Sequence, residues 1–169
     1  MIVVADSSPI HYLTLIGEAH LLGALFEDVV LPRAVVAELL SEGAPAAVRD
    51  WVRSPPKWVR IEAAEESALA SLHEPHLHPG ESEAIVLAEL LKADYLLMDE
   101  RYGRRVAHSR GIPVVGTLGI LEKGDERGMI ADFPARLKLL GETSFFVTDA
   151  LTNALLLRHQ ERVQRRKAQ

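Results

Sequence analysis

The chain has 169 residues, 48% hydrophobic and 25% charged, as expected of one globular domain with a sizeable core. It contains no cysteine, which excludes disulfides, thiolate metal sites and cysteine nucleophiles. Nineteen Lys and Arg against 24 Asp and Glu leave a net charge of -5. That argues against a polycationic nucleic-acid coat, but not against an enzyme that gathers acids in one place and bases in another.

The opening Ile2-Val3-Val4-Ala5 predicts a short buried strand, followed at once by Asp6 and then Ser7-Ser8-Pro9. Proline fits the first turn of a helix and serine before it is a good N-cap, so Asp6 is expected where a strand passes into a helix. In open α/β sheets ligands bind at that end of the strands, although capping alone is an equally ordinary role for an aspartate. The apolar run has no basic region before it and is too short for a signal peptide or a span, so a cytoplasmic protein without a membrane partner is expected.

Residues 10–26 read as one or two helices broken at Gly17, and 28–32 as a second strand stopped by Pro32. Residues 33–41 have helical spacing of Val35, Val36, Leu39 and Leu40, with Glu38 off the apolar stripe. A helix over 44–53, a strand over 58–61 and a short helix over 65–72 follow. His73, His76 and His78 then fall in a proline-stiffened loop. Three close histidines invite a zinc reading, but their spacing is irregular and no cysteine supports it.

Pro79-Gly80-Glu81-Ser82-Glu83 opens the most regular helix, with Glu81 and Glu83 on opposite flanks of its apolar stripe. Acids at a helix start also simply complement its dipole. Residues 93–100 repeat the opening pattern, an apolar strand ending in Asp99 and Glu100, with a helix over about 101–110. Residues 111–117 read as a last strand and tight turn. Alternating strands and helices predict a parallel sheet with helices on both faces. If the strands ending in Asp6 and Asp99 are neighbours, Glu38 and Glu83 can join them at one crevice. Clustered carboxylates need a cation, and oxygen ligands suit Mg²⁺ or Mn²⁺, which activate water against a phosphodiester. No Gly-rich phosphate loop with its Lys and no Gly-x-Ser-x-Gly elbow is present.

The ordered set Asp6-Ser7-Ser8-Pro9-Ile10, Leu31-Pro32, Val36-Ala37-Glu38-Leu39, Gly80-Glu81-Ser82-Glu83-Ala84-Ile85 and Leu97-Met98-Asp99-Glu100 resembles the PIN-domain ribonucleases. Gly103 to Ala107 and Gly111 to Leu121 resemble a prokaryotic branch of that superfamily. The resemblance covers roughly residues 1–146 and leaves 147–169 as a helical extension with a basic end. It implies a three-layer α/β/α fold around a mainly parallel sheet, with Mg²⁺- or Mn²⁺-dependent cleavage of RNA as in VapC-type toxins. It carries over Asp6, Glu38, Glu83 and Asp99 as catalytic and metal-binding acids. Ser7, Ser8, Glu81 and Glu100 are auxiliary candidates, Glu100 as the alternative to Asp99 and Glu81 as the alternative to Glu83. It also implies a homodimer and leaves room for an antitoxin partner.

Arg101, Arg104 and Arg105 form a basic set on the helix after Asp99, where RNA phosphates would approach. Arg158, Arg162, Arg165, Arg166 and Lys167 form a second set, either merely solvated or also holding RNA backbone. Two other readings stand beside the ribonuclease. One is a PIN fold kept as a nucleic-acid- or protein-binding module with weak or no catalysis. The other is a phosphotransfer domain with Asp6 as nucleophile, which lacks a second acid two residues on and a suitable Lys.

Overall fold

A computed structural model describes residues 1–168 of the chain. Its centre is a five-stranded, all-parallel sheet in the order β3-β2-β1-β4-β5. The strands are β1 (Ile2–Ala5), β2 (Asp28–Pro32), β3 (Val59–Glu62), β4 (Tyr95–Leu97) and β5 (Val114–Val115). Along β1 the period of two sends Val3 and Ala5 to one face and Val4 to the other. All three are fully buried, because helices cover both faces.

The first face is covered by α1 (Ser7–Leu15), α2 (His20–Leu25), α3 (Arg33–Leu39), α4 (Ala46–Arg53), α8 (Thr117–Glu126), α9 (Phe133–Gly141) and α10 (Asp149–Lys167). The second is covered by α6 (Pro79–Leu90) and α7 (Arg101–Ser109), with α5 (Glu66–Ser71) packed at its side. This is the expected three-layer α/β/α arrangement. Gly17 follows α1 with φ +75°, the left-handed conformation that ends a helix cheaply only at glycine.

Two elements differ from the reading of the sequence. The Gly116-Thr117-Leu118-Gly119 stretch is the start of a ten-residue helix, α8, rather than only a tight turn. Helix α9, begun by an Asp132 side chain that accepts the Ala135 N–H, has weak periodicity and went unread.

Part of the basic end of α10 is held by α8, while Arg165 and Lys167 stay exposed. Arg162 donates to Asp125, which is fully buried, and also pairs with Glu122. Arg158 donates to Glu122 at 2.5 Å, His159 pairs with Asp125 at 2.8 Å, and Arg166 donates to the backbone oxygens of Asp125 and Glu126. Arg158, His159, Arg162 and Arg166 dock α10 on α8, while Leu155 adds to the same core.

Candidate functional site

Strand order reverses between β1 and β4. From β1 the chain winds outward through β2 and β3 on one side, and from β4 to β5 on the other. A parallel sheet opens a crevice at such a switch point, beyond the carboxyl ends of its strands. Asp6 lies directly there, one residue past β1, with its N–H donating to Leu97 at the end of β4. Its neighbours are therefore fixed by sheet pairing and not by loop conformation.

Four acids, Asp6, Glu38, Glu81 and Glu100, line a cleft of about 360 Å³ together with Ser7 and Ser8. Asp6 is 3% exposed and stands at the N-cap of α1 without making a side-chain capping bond. Its Oδ1 has no hydrogen-bond partner. Burial, the largest cause, pushes its carboxyl up to about 7; the charges of Glu81, Glu38 and Asp99 add to the rise, and the Ser7 N–H opposes it. Glu38 reaches across from α3, where its Oε1 accepts the Gly80 N–H at 3.1 Å. A Cβ on Gly80 would stand 2.5 Å from that oxygen, so any larger residue here would push the Glu38 carboxylate from its present place. Glu81 closes a capping box by accepting the His78 N–H at 2.8 Å through Oε2. Its other oxygen, Oε1, is buried without a partner.

Glu83 does not share the cleft. Its Oε2 accepts the Ala34 N–H at 2.6 Å and its Oε1 accepts the Ala64 N–H at 3.0 Å, joining the start of α3 to the chain after β3. It lines a separate groove with Arg33, Ala37 and Leu69. Two helical residues apart are about 200° apart around the axis, so Glu81 and Glu83 cannot face one crevice. Glu81, carried as the auxiliary acid, is the one that faces it.

Asp99 lies beside the cleft rather than on its wall. Its Oδ1 accepts the Thr117 N–H at 2.7 Å and its Oδ2 accepts the Thr117 hydroxyl at 2.6 Å. Burial raises its pKa; the two Thr117 bonds and the nearby Arg104 oppose the rise. A Cβ on Gly116 would stand 2.8 Å from Asp99 and 2.9 Å from Arg104. The Gly-Thr pair is thus the receptor that holds Asp99. No role could be read for it in sequence, because Asp99 and Thr117 meet only through the β4–β5 pairing. Glu100 is the exposed acid on the cleft rim.

Of the basic set on α7, Arg104 donates to the Met98 carbonyl at 2.9 Å, and Arg105 lies 5.3 Å over the Tyr102 ring. Arg101 is exposed at the start of α7.

The charged groups lining the cleft include four carboxylates, the chemistry of a hard divalent cation, and two of their oxygens are buried with nothing to bond. Asp6, Glu38 and Glu81 fit such an ion. As they stand, no three His, Asp or Glu side chains among the described residues close tightly on one point. Like charges without a counter-ion hold apart, and Glu38 and Glu81 each spend an oxygen on backbone. His73, His76 and His78 form no such group either.

A family model described as DUF3368, PIN domain, matches residues 2–161. In fold the chain is similar to a PilT N-terminus domain protein, SSO1118, from the hyperthermophilic archaeon Sulfolobus solfataricus P2. The TM-score is 0.52 at 20% identity, over 73% of this chain and 92% of that one. No curated protein matches the chain. No described helix is long and apolar enough to cross a membrane.

Proposed function

The chain belongs to the PIN-domain family, and from that premise we propose that it is a Mg²⁺- or Mn²⁺-dependent endoribonuclease. The observation that carries the reading is Asp6: a buried carboxylate at the sheet's switch point, with an unbonded oxygen and the unbonded Glu81 oxygen at the same cleft. Asp6 makes no N-terminal capping bond further into α1; its backbone partner is the Ser7 N–H, and its Oδ1 stays unbonded.

Asp6, Glu38 and Glu81 would hold the cation, with Glu100 reaching in from the rim. Bound there, the cation would polarise the scissile phosphodiester and lower the pKa of the attacking water. Without it Asp6 carries a proton near neutrality, so loading the site releases that proton. Thr117 fixes Asp99 beside the crevice, where its charge deepens the negative potential felt by Asp6. Ser7 and Ser8 present hydroxyls to a phosphate oxygen at the cleft edge. Arg101 and Arg105, on the helix after Asp99, draw in the RNA backbone electrostatically. A homodimer, and an antitoxin that restrains the activity, complete the proposal.

The test is cleavage of a mixed RNA pool by the full chain, with Mg²⁺ or Mn²⁺ and with EDTA. Metal-dependent cleavage lost in Asp6→Asn supports the reading; equal cleavage by wild type and Asp6→Asn refutes the site. One observation favours a second reading, a binding module without catalysis: no three acids close on one point in the described structure. Absence of any metal-dependent cleavage, with RNA still bound, is the result that selects it.

A further inference from the structure

Beside the acid cleft lies a second cavity of about 300 Å³, which shares Ser7, Ser8 and Glu38 with it and continues past His11, Ser41 and Ser144. We propose that this cavity is a nucleoside subsite, which takes the base and ribose of the nucleotide adjoining the scissile phosphate; the assignment rests on the ribonuclease reading of the acid cleft.

The chemistry of its lining separates it from a phosphate site. No Lys or Arg lines it among the described residues, and Glu38 stands at one end, so a phosphate would meet repulsion without compensation. Its walls instead supply four serine hydroxyls, the Tyr12 hydroxyl and an imidazole, groups that both donate and accept and so match base edges and ribose hydroxyls. None of the hydrogen bonds among the described residues uses the side chains of Ser7, Ser8, His11 or Ser41. Ser144 is bonded, to the Tyr12 hydroxyl at 3.0 Å.

The floor of the cavity is rigid. Ser7 and His11 are four residues apart on α1 and face nearly the same way, about 6 Å apart along the axis. His11 packs edge-on against Tyr12, with ring centroids 4.8 Å apart, and Tyr12 packs edge-on against Phe145 at 4.9 Å. The Ser144 bond fixes the far end of Tyr12. Burial lowers the His11 pKa, so the ring is a neutral aromatic surface at pH 7, suited to stack a base. Because Ser7 and Ser8 border both cavities, a chain whose phosphate lies over the acids places its neighbouring nucleoside here. Gly43 at the mouth has nothing within 4 Å of where a Cβ would be, so the entrance is open.

The test uses the full-length chain and a single-stranded RNA pentamer. In EDTA, where no cleavage occurs, amide NMR spectra should show the pentamer shifting Ser8, His11, Ser41 and Gly43, and inorganic phosphate leaving them unmoved. His11→Ala should weaken pentamer binding at least fivefold. Gly43→Leu, which fills the mouth from open space, should do the same without touching the floor. With metal, His11→Ala should raise KM with kcat within twofold and flatten the nucleotide preference at one position beside the cut. Shifts confined to the acid cleft and α7, or unchanged affinity in both variants, would overturn the subsite even if the RNA is cleaved. Pentamer binding at these amides by a wild type that does not cleave would keep the subsite and reject the nuclease.

Discussion

Asp6→Asn should stabilise the metal-free protein increasingly as pH rises. The Asp6 carboxyl sits at about 7 in the folded chain, raised from the ordinary 3.8. Between those values the folded state holds a proton that the unfolded state has released, so wild-type stability falls as pH climbs from about 4 to about 7 and then levels off. At 1.36 kcal/mol per pH unit, the full displacement corresponds to up to about 4 kcal/mol of stability lost by pH 8. Asparagine cannot ionise, and burying its amide adds an offset of about 1–3 kcal/mol that is the same at every pH. The observable is therefore the difference between variant and wild type. Glu122, lowered by Arg158 and Arg162 against the pull of burial, titrates alike in both proteins and cancels, whereas Asp99, also raised, is coupled to Asp6 and adds a smaller difference. Urea unfolding in EDTA at pH 5 and pH 8 should show the variant gaining on the wild type by several kcal/mol across that interval. Adding Mg²⁺ at pH 8 should then raise the wild-type midpoint and leave Asp6→Asn unmoved. A difference that stays constant with pH would refute the account of Asp6 as a buried carboxylate held against its own charge.

Other outcomes follow from the same contacts. Glu81→Gln should keep the fold and lose metal-dependent cleavage, whereas Glu83→Gln should keep cleavage and lose about 1–3 kcal/mol, since only one of its two buried backbone partners retains a carboxylate-type acceptor; paired melts and cleavage assays distinguish them. Gly80→Ala drives a methyl into Glu38 and should cut cleavage at least tenfold with a much smaller change in melting temperature. Arg162→Ala strips a partner from buried Asp125 and should cost about 3–5 kcal/mol, against less than about 1 kcal/mol for exposed Arg165→Ala, measured by urea unfolding.

Much of the architecture was legible in the chain itself. The run Ile2-Val3-Val4-Ala5 has to be buried on both sides, and acids placed directly after such runs mark strand ends wherever the sheet is parallel. Alternation of strand and helix therefore gave the layers, and Asp6, Glu38 and the acids at 99 and 100 stand out as candidates in the chain itself. Three things depended on tertiary structure. Which of Glu81 and Glu83 faces the crevice depends on the rotation of α6 about its axis, fixed by the helix's apolar packing on the sheet and by the contacts at its start. Whether Asp99 or Glu100 lines the cleft depends on Thr117, eighteen residues away and brought close only by the β4–β5 pairing. The basic end of α10 reads as solvated charge that can also hold RNA backbone, and only the fold shows that Asp125 and Glu122 on another helix pair with Arg158 and Arg162. Hydrophobic period and strand-end position are local and survive in sequence; side-chain direction and charge pairing are long-range, and they exist only once the chain has folded.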